Sequence, residues 1–134
     1  MISEGHKTTF DGATPVFLVG DIAATMRWYS THLGFSVHGV PESPPHQFGF
    51  LTKDKIQIFL QQLDGYRKPD LYEKREGGVW SLYLQVQRVR ELHDVLSQDP
   101  HVTMLEPLRH QPYGQTEFVI RDPNGYALVF AQRD

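Results

Sequence analysis

The spacing of apolar residues in the first third of the chain predicts a strand followed by a helix. Ala13 to Gly20 is apolar and β-branched, a composition typical of a strand. Asp21 follows as a helix N-cap, because its carboxylate can accept from the free N–H groups of a first turn. Gly34 stands where a helix C-terminal glycine is expected. Between them, apolar residues recur at spacings of four, three and four, the stripe of an amphipathic helix: Ile22, Met26, Tyr29 and Leu33.

Three more strands complete this first pattern. Residues 35–40 predict a short strand, and the proline-rich residues 41–45 predict a loop. HQFGFLT and KIQIFLQQ form a hairpin pattern around Lys53 and Asp54. In the second of these strands, alternation places Ile56, Ile58 and Leu60 on one face and Gln57, Phe59 and Gln61 on the other.

The second half of the chain repeats this order after a polar segment. Residues 63–78 contain glycine, proline and a Gly-Gly end, and they predict a linker. VWSLYLQVQ then predicts a strand, RVRELHDVLSQ a helix, HVTMLEPL a short strand and QTEFVIRDPNGYALVF a hairpin. Four pairs of residues align at an offset of 67, and three of them match in chemical class: Phe17, Val19 and Ile22 meet Leu84, Val86 and Val89. The fourth pair, Asp21 and Arg88, differs.

These patterns predict an α+β fold of two βαβββ modules that form a cleft or open barrel. The predicted divisions are an N-terminal tail (1–13), a first module (14–62), a linker (63–78) and a second module (79–132), within one domain. One face of each strand packs on a helix, and the alternate residues line the cleft.

Composition and charge exclude several classes of function. The chain has 134 residues, 40% apolar and 22% charged, which is typical of one globular domain. No apolar run approaches the ~20 residues that span a bilayer, and MISEGHKTTFDGAT lacks the apolar segment of a signal peptide. Without cysteine, disulfides and thiolate chemistry are excluded, so we expect a cytoplasmic protein. Net charge is −3 without a basic cluster, so we expect neither nucleic acid nor a membrane as partner.

Two motifs resemble those of the glyoxalase/bleomycin-resistance/extradiol dioxygenase superfamily, also called the vicinal oxygen chelate fold. One is P-V-x-x-V-x-D (Pro15 to Asp21) with W-Y-x-x-x-L-G-F (Trp28 to Phe35). The other is P-Y-G-Q-T-E-F-V-I-R-D-P-N-G-Y (Pro112 to Tyr126). The resemblance spans about Thr14 to Gln132 and implies the two-module fold. It is less specific for function, because this scaffold hosts many chemistries.

In metal-dependent members of that family, strands of both modules supply His, Gln or Glu ligands to a divalent ion. Carried onto this chain, those positions hold Thr14, Phe59, Ser81 and Val129, which include neither imidazole nor carboxylate. Seven histidines occur without a metal-binding spacing, and His46, at the start of a strand, is the one most favoured for the cleft. We therefore predict no catalytic residue, no metal and no cofactor.

Glu117 is the one carboxylate inside a predicted strand of the second module. It could act in the cleft as a general base or hydrogen-bond acceptor. The favoured interpretation is structural, an ion pair with Arg121 along the same face of the strand.

The predicted cleft is lined by aromatic, aliphatic and amide side chains, which suits a planar or aromatic ligand. The ligand-binding candidates are Val16, Leu18, Phe48, Gln57, Phe59, Tyr83, Gln85, Tyr113 and Val129. Trp80 is expected at the margin, and Phe59 and Tyr83 are predicted to face one cavity.

The resemblance implies a metal-free protein that sequesters a small molecule, as bleomycin-resistance proteins do. The alternative is a metal-dependent lyase, isomerase or dioxygenase on the same fold. A third possibility is an interaction module whose cleft is only a dimer seam. The family also implies a two-fold homodimer in which modules of different chains complete each other's cavity.

Overall fold

The computed structural model describes residues 7–134 and contains two successive βαβββ modules. The first comprises β1 (Val16–Val19), α1 (Ile22–Leu33), β2 (Ser36–Val40), β3 (Phe48–Lys53) and β4 (Ile56–Gln62). The second comprises β5 (Leu82–Gln85), α2 (Val89–Ser97), β6 (Thr103–His110), β7 (Gln115–Arg121) and β8 (Ala127–Arg133). The predicted α+β class is confirmed. The predicted tail lies partly outside the described residues, and its residues 7–13 form neither helix nor strand.

Each module builds one four-stranded sheet with the same topology. The strand orders are β1-β4-β3-β2 and β5-β8-β7-β6, and the two sheets are separate. The first strand of each module pairs in parallel with the last, and the other pairings are antiparallel. The helices begin at Ile22 and Val89, so the offset of 67 residues found in the sequence is also the offset of the structural repeat.

The predicted caps of α1 are present. The Asp21 carboxylate accepts a hydrogen bond from the Ala24 N–H at 3.0 Å, which satisfies a donor that the first turn leaves free. Gly34 ends the helix at φ 74°, a left-handed conformation that glycine adopts without steric cost. No helix in the described part of the chain is long and apolar enough to cross a membrane.

The two modules pack through their helix-bearing sides. The Phe17 and Tyr126 rings stack at a centroid distance of 4.0 Å, and the Tyr126 hydroxyl donates to the Leu18 carbonyl at 2.7 Å. The Trp28 indole N–H donates to the His101 carbonyl at 3.1 Å. Buried residues from both modules thus belong to one apolar cluster, including Val19, Ile58, Leu60, Leu84, Phe118, Ile120, Leu128 and Phe130.

Each sheet has a second face, which we call its open face, on the side opposite this core. On the first sheet, register aligns Val16, Phe59, Phe50 and His38 in one row across the open face. On the second sheet, the corresponding row holds Tyr83, Val129, Val119 and Glu106. Residues that the sequence alternation places on the face away from the helix, such as Phe59 and Tyr83, therefore lie on the open faces.

Candidate functional site

The linker covers part of the open face of the second sheet. It contains a short 3₁₀-helix, Tyr72–Lys74, and Tyr72 packs against Val119, Ala127 and Val129. The Asp70 carboxylate forms an ion pair with the Arg121 guanidinium at 2.8 Å. At the linker's end Gly78 has φ 86°, and a side chain there would collide with the Tyr72 ring. The linker is thus held against the second sheet and forms one side of the site.

A cavity of about 630 Å³ lies between the linker and the second sheet. Three aromatic residues, Tyr72, Trp80 and Tyr113, line it together with the buried Val119. Its charged lining residues are Arg75, Glu106, Arg109 and Glu117. This volume falls within the range of small-molecule sites, and the mixture of rings with a few polar groups is typical of them.

Glu117 is the buried polar centre of this site. Its side chain comes from β7, and the residue is only 2% exposed. The Tyr83 hydroxyl donates to Oε2 at 2.7 Å, and the Tyr113 hydroxyl donates to Oε1. Burial, followed by these bonds to Glu117, raises the pKa of Tyr113 to about 12 and raises the pKa of Tyr83 as well. Both phenols therefore keep their protons at neutral pH and remain donors.

The predicted ion pair between Glu117 and Arg121 is wrong. The Arg121 guanidinium turns to Asp70 in the linker. Arg109 lies opposite Glu117 on β6, but its guanidinium pairs with Glu106. Within residues 7–134, the direct side-chain partners of Glu117 are therefore two neutral phenols rather than a cation.

Three of the predicted ligand-binding residues of the second module are brought together at this site. Tyr113 lines the cavity, Tyr83 holds Glu117, and Val129 lies fully buried beneath Tyr72. Trp80, predicted at the margin, lines the cavity with its ring 5.5 Å from that of Tyr83. Gln85 does not line the cavity, and its amide donates to the Gln115 amide oxygen at 3.3 Å.

The five predicted residues of the first module lie on the open face of the first sheet, away from this cavity. Val16 and Phe48 are 50% and 46% exposed, and Leu18 is partly buried. The Phe59 ring packs edge-on against Phe50 at 5.1 Å, and Gln57 is exposed. None of them is among the residues that line the second-sheet cavity.

The linker residues Tyr72 and Arg75, and Arg109 on β6, were missed as site residues. The polar composition of residues 63–78 indicates a solvated linker. These residues show no hydrophobic periodicity that would predict the packing of Tyr72 on the second sheet. The Gly-Gly pair at Gly77 and Gly78 was the available signal, because both glycines adopt positive φ and Gly78 lies against the Tyr72 ring.

The His46 side chain packs against the loop between β2 and β3 and does not line the cavity. Its ring is buried, and Nδ1 lies 2.7 Å from the Pro41 carbonyl oxygen. The ring also fills the space that a side chain at Gly39 would need. The expectation that His46 enters the cleft is therefore replaced by a structural role.

The four positions at which the family resemblance would place metal ligands do not fit a divalent ion. The Ser81 hydroxyl accepts a hydrogen bond from the Ala127 N–H at 3.0 Å, and Val129 is fully buried. Phe59 offers no ligand atom, and Thr14 is exposed ahead of β1. Across the described residues, no group of three or more His, Asp or Glu side chains is arranged to hold a metal ion.

Comparison with known proteins identifies both a family and a fold. The family model described as Glyoxalase/Bleomycin resistance protein/Dioxygenase superfamily matches residues 13–130. A search of curated proteins found no match.

Solved structures of the same fold are similar over nearly the whole chain. A glyoxalase-related enzyme from Clostridium phytofermentans has a TM-score of 0.73 at 15% identity, over 98% of this chain and 100% of that one. TioX from Micromonospora sp. ML1 has a TM-score of 0.70 at 15% identity, with coverage of 92% and 97%. The bleomycin-binding protein from bleomycin-producing Streptomyces verticillus, solved with copper(II)-bleomycin, has a TM-score of 0.64 at 20% identity, with coverage of 95% and 99%. At these identities the likeness shows the fold alone.

Proposed function

This chain belongs to the Glyoxalase/Bleomycin resistance protein/Dioxygenase superfamily, and we propose that it binds a planar or aromatic small molecule and releases it unchanged. One observation carries the proposal: the cavity of about 630 Å³ is walled by Tyr72, Trp80 and Tyr113 around a polar centre. Flat rings favour flat ligands because offset stacking adds to the burial of apolar area. A similar fold that binds copper(II)-bleomycin supports sequestration as the role.

The chemistry of the metal-ligand positions favours binding over metal-dependent catalysis. Thr14, Phe59, Ser81 and Val129 supply neither imidazole nor carboxylate, the groups that divalent ions of such enzymes require. A lyase, isomerase or dioxygenase would need another ligand set. A cytoplasmic setting is part of the proposal, supported by the lack of cysteine.

We also propose that the protein is a homodimer, in which a second copy covers the open face of the first sheet. The support is the apolar character of that face, where Val16, Val40 and Phe48 remain exposed. Because each chain joins its own modules through their helix-bearing sides, a partner chain is free to supply the facing sheet. Phe59 of one protomer and Tyr83 of its partner would then border one cavity.

Thermal unfolding with a panel of planar aromatic compounds tests the binding proposal. A ligand that binds only the folded state raises the melting temperature, because it stabilises that state by RT ln(1 + [L]/Kd). We expect at least one such compound to do so, and Trp80→Ala to weaken its binding by about 1–3 kcal/mol. Val95→Ala is the matched control, since Val95 is exposed on α2 outside the cavity.

Two further measurements separate binding from catalysis. The bound compound should be recovered unchanged, and elemental analysis should show no stoichiometric iron, manganese, nickel or zinc. About one tightly held metal ion per chain, or a chemically altered ligand, would contradict the proposal in favour of an enzyme. Absence of a ligand-dependent shift across the panel would favour an interaction module.

A further inference from the structure

We infer that the ligand of this cavity carries a positively charged nitrogen, which contacts the Glu117 carboxylate. The inference rests on the proposed function, because it specifies which planar molecules the same cavity accepts. It follows from three features of the site: the burial of Glu117, the neutrality of its partners, and the engagement of the nearby cations elsewhere.

The hydrogen bonds to Glu117 leave both its charge and part of its acceptor capacity available. A carboxylate has about four acceptor positions, and the Tyr83 and Tyr113 hydroxyls occupy two of them. Phenols donate without a formal charge, so they orient the carboxylate but do not neutralise it. A buried carboxylate without a counter-charge is costly, and a ligand cation would reduce that cost.

The arginines of the site do not supply this counter-charge. Arg121 is paired with Asp70 at 2.8 Å, and Arg109 is paired with Glu106. In the described part of the chain neither guanidinium forms an ion pair with Glu117, although Arg109 lies directly opposite it across the strands. The fold therefore holds a carboxylate in the lining of the cavity while Arg109 and Arg121 are committed to other acids. Arg75, the remaining cation of the lining, is exposed and donates to the Glu76 backbone carbonyl at 3.2 Å.

An anionic ligand fits the site less well. Its candidate partners would be Arg75 and Arg109, and the Arg109 side chain is 61% exposed and already paired. Interactions of charges exposed to solvent are weakened by screening, whereas those of a buried carboxylate are screened much less. The Trp80 and Tyr113 rings also favour a cation, because their faces carry a negative electrostatic potential.

Two fluorescent tricyclic probes of opposite charge test the inference: aminoacridine, a planar cation, and anthracene carboxylate, a planar anion. We expect the wild type to bind the cation at least about 10-fold more tightly. Glu117→Gln should weaken cation binding by about 10-fold or more, the scale of one hydrogen bond to a buried charge, and should leave anion binding unchanged or tighter. Glu91→Gln is the matched control, since it makes the same charge change on the exposed surface of α2 and should alter either affinity by less than about 2-fold.

A second variant keeps the test decisive if Glu117→Gln fails to fold. Tyr113→Phe removes one neutral donor but retains the ring and the carboxylate, so the cation should bind as tightly as in the wild type or more tightly. Loss of cation binding in this variant would overturn the inference, because the phenol rather than the carboxylate would then recognise the ligand.

The same titrations distinguish the two levels of the proposal. Equal affinities for the two probes, or preference for the anion, would overturn the cationic ligand while leaving the aromatic cavity intact. An unchanged cation affinity in folded Glu117→Gln would show that the Tyr83–Glu117–Tyr113 cluster only braces the sheet. If neither probe binds, the inference fails, and the wider panel of planar compounds then decides the proposed function. If Trp80→Ala alters the affinity for neither probe, the probes do not bind in the aromatic cavity and both proposals fail.

Discussion

At the scale of single residues, a buried hydrogen bond between two side chains connects the two modules. The Tyr29 hydroxyl on α1 donates to Asp122 Oδ2 at 2.7 Å, and both residues are buried. Asp122 Oδ1 accepts from the N–H groups of Asn124 and Tyr126, each at 2.9 Å, and so shapes the turn between β7 and β8. Burial raises the pKa of Asp122 although these donors oppose the rise. The turn motif therefore also serves as a joint between modules.

Tyr29→Phe should lower the free energy of unfolding by about 1–3 kcal/mol. The change removes one donor and leaves a buried carboxyl oxygen without its partner, which costs more than the bond itself contributes. Tyr66→Phe is the control, because it removes a hydroxyl from a partly exposed residue of the linker. Urea unfolding at equal m-values measures both variants. Equal effects of the two changes would contradict the role of Tyr29.

Residue chemistry was predictable from sequence where the partners are local. Asp21 and Gly34 were assigned as caps, because cap chemistry involves residues within one turn of each other. The partner of Glu117 was not predictable in this way. Period-two alternation offered Arg121 along the strand, but the distant Asp70 competes for that guanidinium. A contact across 51 residues leaves no trace in strand periodicity.

At the scale of elements, both helices begin against a glutamine from the last strand of their own module. The Gln62 amide oxygen accepts from the Ile22 N–H at 3.0 Å, and the Gln132 amide oxygen accepts from the Val89 N–H at 3.0 Å. The repeat thus preserves a contact as well as an order of elements. The glutamine contact matters more for α2, because Arg88 at the N-cap position has φ 58° and makes no side-chain capping hydrogen bond.

Gln62→Ala should destabilise the protein by about 1 kcal/mol, the usual cost of losing a helix N-terminal acceptor. Gln62 also donates to the Gly20 carbonyl at 2.6 Å, so the substitution releases two backbone groups at the start of α1. Gln98→Ala is the matched control, because Gln98 is exposed after α2 and away from the open face, and it should change stability by less than about 0.5 kcal/mol. Chemical unfolding of both variants decides, and indistinguishable midpoints would contradict this role for Gln62.

Element order was predictable throughout, whereas the linker's role was not. Strands and helices leave periodic signals, and each predicted element is present, although β1 is shorter than the apolar run that predicted it. The segment of residues 63–78 has no such signal, yet it packs Tyr72 on the second sheet. The position of the Tyr72 ring depends on tertiary contacts, namely the Asp70–Arg121 ion pair and the turn at Gly78. Sequence periodicity could therefore not predict the cavity that this ring lines.

At the scale of the whole molecule, sequence alternation predicts which residues share a face but not which faces meet. Both faces of the first sheet carry apolar side chains, so either could pack against the second module. The structure selects the helix-bearing side, through the Phe17–Tyr126 stack and the shared apolar cluster. The open face keeps Phe48 exposed and Phe50 and Phe59 partly exposed.

A second copy of the chain is the partner that we predict for this open face. The exposed apolar side chains Val16, Val40 and Phe48 extend across three strands of one sheet, a larger patch than isolated surface residues produce. In a two-fold dimer each chain offers the same surface to the other, and a stable seam needs about 800 Å² from each partner. Light scattering at micromolar concentration should therefore give the mass of a dimer.

Phe48→Glu tests that seam directly. A carboxylate placed in an apolar interface loses its hydration without gaining a partner, so the variant should dissociate to monomers while its melting temperature at high dilution stays close to the wild type. Val95→Glu is the matched control, because it makes the same kind of change at a position that is 67% exposed on α2. A wild type that is monomeric, or a Phe48→Glu variant that stays dimeric, would contradict the predicted seam. If the dimer completes the cavity, the dissociated variant should also bind planar probes more weakly, whereas the dimeric control should retain their affinity.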